Sequence, residues 1–458
     1  MAGRLISRRG VLVWLGAAAG TAVLAACQQQ QPPAVEKAAE KPATPAAAIE
    51  KPATPLAAAA PKAAAGPVKF AFWMWPNNGV FVKQMQPELK KVMPDVDLDI
   101  IESPGGEMHT KLQAALVAGS GAPDLSMIEV SNLARFTVLK AGLVDLNPYI
   151  KSNWPEMPSQ YFEHPWKISQ SPEGRQVALP KNTGPGVLHY RVELLEKAGL
   201  SSEPDKVHQL FPTWSSMIEQ GQKIFKKGEV WLLPSASDIL NRRYLQLGWA
   251  PVKDNQPNLL APEIEDAVAL AKKFYDGGYT SQQTGDGLSA ALSGSKIAFI
   301  QAASWYMSPL KYNADKDGVG KWRITDAADG PFPHGGDFYA VTEQAKEREQ
   351  AIKTIQWFST SETTFANTYL DQLSPSAYKP HFDNAAIANA PMPYYGGQVV
   401  GDIIKRSLQG LKPQQVHADD GKVTSALSKA FDQVIQGKAE IKAALQDAQK
   451  QAQKDMGL

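Results

Sequence analysis

Val68-Lys69-Phe70-Ala71-Phe72-Trp73, Asp95-Val96-Asp97-Leu98-Asp99-Ile100 and Asp124-Leu125-Ser126-Met127-Ile128-Glu129 are three short runs separated by stretches of helical periodicity. The first alternates only weakly, as a strand buried on both faces should. The second alternates strictly and puts Val96, Leu98 and Ile100 on one side. Between them, Val80 to Met93 is amphipathic and stops at Pro94. A second helix is expected from about Glu107 to Ala118, stopped by Gly119 and Gly121, and a third from Ser131 to Lys140, capped by Gly142. This β-α-β-α-β-α order predicts an α/β fold on a parallel sheet with helices on both sides. Ligands of such sheets sit beyond the carboxyl ends of the strands, here Trp73 to Asn78, Glu102 to Gly106 and Glu129 to Asn132.

Outward from this core the patterns continue. Val177 to Pro180 and Gly186 to Tyr190 read as strands flanking Lys181-Asn182-Thr183-Gly184-Pro185. Thr213 is the expected N-cap of a helix with Trp214, Met217, Ile218, Ile224 and Phe225 on one face. A longer helix is expected over 262–275, with short strands at 296–300 and 337–341. The C-terminus is helical, with one stripe from Val423 to Ile435 and another from Ile441 to Ala452.

With 458 residues, the chain is too long for one domain at roughly 150 residues each, so two or three units are expected. Its 47 Lys plus Arg against 46 Asp plus Glu exclude an electrostatically driven nucleic-acid binder. One cysteine excludes a disulfide framework, an iron–sulfur cluster and a multi-cysteine zinc site. A mean hydropathy of −0.29 excludes a multi-span membrane protein.

The N-terminus reads as an address. Ser7-Arg8-Arg9-Gly10-Val11-Leu12 is a twin-arginine pattern, although general secretory signals also begin with paired arginines. Val11 to Ala26 is an apolar run too short for a comfortable membrane span of about 20 residues. Leu24-Ala25-Ala26-Cys27 has the form of a bacterial lipobox, in which the cysteine is acylated and becomes the mature N-terminus. Residues 1–26 are thus expected to be a signal peptide and Cys27 a lipid anchor on the outer face of the cell membrane. Loss of Arg4, Arg8 and Arg9 leaves 44 basic against 46 acidic side chains. Residues 27–67, rich in Ala, Pro, Lys, Glu and Thr and twice containing Glu-Lys-Pro-Ala-Thr-Pro, form no core and read as a tether with a reach on the order of 100 Å.

Several segments of 68–458 carry a family resemblance. Lys111 to Asp124-Leu125 gives a helix, an Ala-Gly turn and a Pro-Asp lead into a strand. Phe136 through Lys140-Ala141-Gly142-Leu143-Val144-Asp145-Leu146, then Arg175 to Pro180, Gly186 to Tyr190, Lys197-Ala198-Gly199-Leu200 and Pro212-Thr213-Trp214 follow in order. Ser215 and Ser216 stand where acidic residues are usual, which weakens the expected cap. Gly294 through Trp305, and Gly335-Gly336 before 337–341, complete the set. In these segments the chain resembles the extracellular solute-binding proteins of ABC importers, in the branch that includes maltose-binding protein.

The resemblance implies a two-lobed, type II periplasmic-binding-protein-like fold hinged by several crossing strands near 179–184, 297–302 and 338–343. One lobe would comprise 68–180 plus 302–340 and the other 184–297 plus 343–458. It also implies a monomer that binds a small solute by hinge closure and delivers it to ABC permease transmembrane subunits, with no cofactor, no metal and no catalytic residue.

For a sugar, rings must stack on C–H faces and polar groups must meet hydroxyls. Trp73, Trp75, Asn77 and Asn78, at the end of the first strand, supply both kinds of group. By family position, Trp305 would stack, and Glu129, Ser131 and Asn132 would bond hydroxyls. Asn182 and Thr183 lie at the first hinge and Gly335 and Gly336 at the last crossing. Ser237 and Asp238 would line the second lobe, and Tyr394 and Tyr395 its late loop.

Enzyme signatures are missing: no Gly-x-Ser-x-Gly, phosphate-binding Gly-rich loop or His-Glu-x-x-His occurs. Asn313, Asp315, Asp317 and Gly318 mimic half of a calcium loop, but Ile324 stands where the closing Glu belongs, which favours an acidic turn. A membrane-anchored carbohydrate hydrolase, which needs paired carboxylates about 5–9 Å apart, and a polyamine binder stay as alternatives.

Overall fold

The structure, a computed structural model, describes residues 67–413 and 416–458. The expected signal peptide, Cys27 and nearly all of the tether lie outside the described residues.

The first strand, β1 (Val68–Met74), pairs in parallel with β2 (Val96–Glu102) along its whole length and with β3 (Leu125–Glu129) at Phe72 and Trp73. Helix α1 (Pro76–Val92) connects β1 to β2, and α2 (Gly105–Ala118) connects β2 to β3. Both faces of the sheet are covered. Phe70, Phe72 and Met74 pack with Phe81, Val82 and Leu89 of α1, while Met108, Leu112 and Leu116 of α2 cover the opposite face with Ile128 and Phe338. At the free edge, Asp97 and Asp99 of β2 pair with Lys90 and Lys69, which blunts the edge.

Helix α1 begins a turn before the expected Val80. Pro76 sits at its first position, where the missing N–H costs nothing and the fixed φ suits a helix. Asn77 and Asn78 therefore project from a helical first turn and not from a loop.

The sheet is not wholly parallel. Its order is β2-β1-β3, then Asp337–Val341, then β4 (Leu179–Pro180), and Asp337–Val341 runs antiparallel to both neighbours. A second, three-stranded sheet has β5 (Gly186–Arg191) at its centre, antiparallel to Phe299–Ala303 and to Trp322–Asp326.

This pairing redraws the expected division of the chain. Residues 302–336 were expected with the first lobe, yet Met307, Leu310, Trp322 and Ile324 pack in the core of the second sheet. Conversely, Ala345, Ala351, Ile355 and Phe358 pack with Phe70 and Phe72 on the first sheet, although 343–360 was expected in the second lobe. The cause is local: after Ala303 the chain forms helical turns over Ser304–Ala314 on the second sheet and returns beside β5 before it leaves.

The crossings shift accordingly. The first, 181–186, lies close to its expected place. The second is 327–336, between the strands Trp322–Asp326 and Asp337–Val341, not 297–302 or 338–343. The two run antiparallel and are hydrogen-bonded side by side: Lys181 N–H to Asp337 O at 2.8 Å, His334 N–H to Gly184 O at 2.8 Å and Gly186 N–H to Phe332 O at 2.8 Å. A third segment pairs on the other side of the first through Thr183 N–H to Pro375 O (3.3 Å) and Ala377 N–H to Lys181 O (3.3 Å). The result is a three-stranded strip, and only a residue without Cβ fits at its centre. A Cβ on Gly184 would lie 1.8 Å from His334 O and 2.5 Å from Trp305 Nε1.

Two sequence expectations are corrected by hydrogen bonds. Ser216 does not weaken the helix Trp214–Gly221: its Oγ accepts from Thr213 N–H (3.0 Å) while Thr213 Oγ1 accepts from Ser216 N–H (3.1 Å), a capping box with serine in the acid's role. Asp315 belongs to a buried cluster. Its carboxylate bonds the Arg191 guanidinium and accepts from Trp322 Nε1 at 2.8 Å, and both Arg191 and Asp315 side chains are 1% exposed.

Candidate functional site

Beyond the carboxyl ends of β1 and β3, a cleft of about 470 Å³ opens against the strip. The first turn of α1 contributes Trp75, Asn77 and Asn78; the end of β3 contributes Glu129; the strip contributes Asn182, Gly335 and Gly336; and the turn after Phe299–Ala303 contributes Trp305. These eight residues were expected at the site, and the fold brings them together because strand ends and crossings converge there.

The others lie elsewhere. Trp73 is half-buried within β1, against the α2 side of the sheet. Thr183 is buried inside the strip. Ser131 and Asn132 donate to the Glu129 carboxylate from the start of α3 (Val130–Thr137) and do not line the cleft. Ser237 is exposed on the helix Ala236–Leu247; Asp238 bonds Ser235 and Arg242 beside a separate 50 Å³ pocket. Tyr394 and Tyr395 are core residues: their hydroxyls bond Asp315 O at 2.8 Å and His189 Nδ1 at 2.8 Å.

Phe81, Lys181, Ser308, Asn313, Asp337, Thr368, Gln372 and Ser374 also line the cleft and were not expected there. Lys181 and Asp337 could have been found as the neighbours of Asn182 and Gly336. Thr368 and Gln372 sit on a helix without any motif.

The floor is electrically closed. Lys181 Nζ lies 2.5 Å from Asn78 Oδ1, 3.4 Å from Asp337 Oδ2 and 4.7 Å from the Phe81 ring centroid. Burial pulls the Lys181 pKa down, and Asp337 opposes that shift. Asn182 holds the strip together: its Oδ1 accepts from Asp337 N–H at 2.7 Å and its Nδ2 donates to Ser374 Oγ at 2.7 Å.

Glu129 caps α3 through Oε2, which accepts from Ser131 N–H at 3.1 Å, and Oε1 has no partner among the described residues. Burial raises its pKa, against the Ser131 and Asn132 hydrogen bonds. Trp305 Nε1 donates to His334 O at 2.8 Å, which fixes the indole against the crossing. Asn77, Ser308, Asn313 and Gln372 have side chains without hydrogen-bond partners among the described residues. Two indoles, free amides and a neutralised floor suit an uncharged, hydroxyl-bearing molecule. Truncating Lys181 to Ala would strand Asp337 and is expected to lower stability by about 3 kcal/mol in urea titrations.

Comparison with known proteins bears on this cleft. The family model described as bacterial extracellular solute-binding protein matches residues 85–391. An arabinooligosaccharide-binding protein of Bacillus subtilis (strain 168) is 29% identical over 170 residues, 35% of this chain and 36% of that protein, so the match spans about a third of the relative's length. A lactose-binding protein of Rhizobium radiobacter is 23% identical over 354 residues, 72% of this chain and 79% of that protein. The structure of the sugar-binding protein MalE from Xanthomonas citri superposes with a TM-score of 0.72 at 17% identity, covering 85% of this chain and 98% of that one; at such identity the likeness is one of fold.

Proposed function

The chain belongs to the family of bacterial extracellular solute-binding proteins, and from that premise we propose that it captures a neutral carbohydrate outside the cytoplasm and delivers it to the transmembrane subunits of an ABC importer. The observation that carries the sugar reading is the cleft itself: Trp75 and Trp305 beside uncommitted amide and hydroxyl groups, over a floor in which Lys181 is already paired with Asp337. The relatives named for arabinooligosaccharide and lactose support it. A polyamine site would need several carboxylates free of cations; of the two that line the cleft, Asp337 is engaged by Lys181, which leaves Glu129 alone.

Ligand contacts on both sides of the strip would favour a closed arrangement, since only differential contact shifts a conformational equilibrium. The lipobox at Leu24 to Cys27 supports anchoring to the outer face of the cell membrane, with 27–67 as the tether.

Thermal-shift measurements on purified protein test the reading. A bound solute stabilises by RT ln(1 + [L]/Kd), about 2.7 kcal/mol at a hundredfold excess over Kd. Arabino-, malto- or galacto-oligosaccharides are expected to raise the Tm and to be recovered unchanged. Trp305→Ala should abolish the shift; Trp305→Phe, which keeps a smaller ring face and loses the N–H to His334 O, should retain part of it. A shift with spermidine and none with sugars, or breakdown of the sugar with time, would reject the proposal.

A further inference from the structure

On the side of the second sheet, the cleft wall is built from two pieces of chain, Ser304–Ala314 and the end of the helix Glu362–Gln372. The first supplies Trp305, Ser308, Pro309 and Asn313, and the second Thr368 and Gln372. Along the first piece the winding loosens. It starts as a 3₁₀ turn at Ser304–Tyr306 and ends as a π turn at Leu310–Ala314, where Asp315 N–H donates to Leu310 O at 2.8 Å. Such turns are rare, and functional sites hold many of them.

The two pieces meet at one residue. Asp371 Oδ1 accepts from Lys311 Nζ at 2.8 Å and from the Tyr312 hydroxyl, and Asp371 O accepts from Lys311 Nζ at 3.4 Å. Lys311 Nζ also stands 4.6 Å from the Tyr312 ring centroid, so the two donors brace each other. A second tie holds the far end of the same segment: Ser304 Oγ donates to Leu373 O at 2.9 Å. Leu373 has a φ of +50°, a region that leucine enters only where its surroundings over-determine it. Gln372 therefore lies between two fixed neighbours, and Asn313 directly follows the two donors. For folding, the cluster is worth little, since the Lys311 and Asp371 side chains are 32% and 45% exposed and so open a pair is screened by water. For the cleft it is worth more. The side-chain amides of Asn313 and Gln372 have no hydrogen-bond partner among the described residues, and an amide held in place before a solute arrives loses less freedom on binding it.

We propose that Asp371, which does not itself line the cleft, is a positioning residue of the solute site. By holding Lys311 and Tyr312 it sets the π turn against the end of the helix Glu362–Gln372, so that the Asn313 and Gln372 amides are fixed in the cleft before the solute enters. The proposal rests on the carbohydrate reading above and adds to it the residue that pre-sets two polar contacts of that site.

Calorimetric titration of the intact protein with arabino-, malto- and galacto-oligosaccharides tests it. Asp371→Ala is expected to weaken binding of the tightest of these sugars about tenfold, equivalent to about 1.4 kcal/mol, while the unliganded Tm moves by less than about 3 °C. Asp371→Asn, which keeps an acceptor for the Tyr312 hydroxyl, should recover part of the affinity. Tyr312→Phe alone should lose about threefold, and because Tyr312 is exposed that variant carries the test where Asp371→Ala fails to fold. The deciding measurement repeats Asp371→Ala in a protein that already carries Asn313→Ala and Gln372→Ala. There it should cost less than about twofold, because nothing is left to position. The two single variants, Asn313→Ala and Gln372→Ala, each of which should shrink the loss, serve where the double variant no longer binds. An equal loss in every background, or unchanged affinity in both Asp371→Ala and Tyr312→Phe, would overturn the positioning role and leave the carbohydrate reading standing. Failure of every sugar to bind the unaltered protein would overturn both.

Discussion

Lowering the pH from 6.5 to 4 is expected to unfold this protein, with a loss on the order of 10 kcal/mol. Four histidines are buried in neutral form. Desolvation holds His164, His189 and His381 at pKa values of about 4 and His334 at about 3, against 6.5 when unfolded. Between those values the unfolded chain binds protons that the folded chain refuses, so stability falls as pH falls through 6.5 and continues to fall to about 4. At 1.36 kcal/mol per pKa unit each group contributes about 3 kcal/mol, enough together to exceed the net stability of many domains. Asp420 acts in the opposite sense. Its pKa is raised by burial to about 6, so it destabilises the fold above that value and this effect is relieved as pH drops towards 3.8. One such group offsets about one histidine. Urea midpoints measured at pH 7, 6 and 5 should decline steeply. His189 offers a control, since its ring bonds Tyr395 OH at 2.8 Å and Ala303 O at 3.1 Å: His189→Gln removes the titrating group and should flatten the decline by about 3 kcal/mol. A flat profile in the unaltered protein would refute the account.

Asp315→Ala is expected to destabilise by about 3–5 kcal/mol, because it strands the Arg191 guanidinium in a site that is 1% exposed. The remaining partners of Arg191, Leu292 O at 3.0 Å and Glu193 Oε1 at 3.0 Å, cannot replace the lost carboxylate, and Trp322 Nε1 loses its acceptor as well. Asp315 also ends the helical turns Ser304–Ala314 that carry Trp305, Ser308 and Asn313 into the cleft, so the variant should bind solute more weakly where it still folds. Arg191→Met with Asp315→Leu, which replaces the pair by apolar groups, should recover most of the stability. Equilibrium unfolding in urea distinguishes these outcomes, and a cost for Asp315→Ala within 0.5 kcal/mol of zero would show that water reaches the pair.

The first half of the fold was legible because its strands and helices have different periods over 68–146 and the turns are marked by Gly119, Gly121 and Gly142. Trp75, Asn78, Glu129, Asn182, Gly335 and Gly336 were legible in the cleft for the same reason, since position in a β-α repeat fixes where a side chain emerges, but Lys181 and Asp337 beside them were missed. What escaped has physical causes. Pro76 reads as a break until its place at the first position of a helix is known. The pairing of Trp322–Asp326 with β5 depends on a contact distant in sequence, and nothing local distinguishes a strand that returns to its own sheet from one that crosses. Tyr394 and Tyr395, in a Pro- and Gly-bounded turn, look like loop aromatics, but their rings fill the second core. Thr368, Gln372, Ser308 and Asn313 face the cleft from helical turns, where polar residues ordinarily mean solvent.

The strip of 181–186 between 332–337 and 375–377 has a mechanical consequence. Lateral hydrogen bonds make it a ribbon that resists sliding of one crossing past another but yields to torsion along its length. Deuterium uptake should accordingly be slow at the amides of Lys181, Gly184, Gly186 and His334 in the presence and absence of solute alike, with the fast-exchanging protons confined to the segments on either side. The ribbon would then act as a torsion spring whose internal bonds survive every opening and closing cycle.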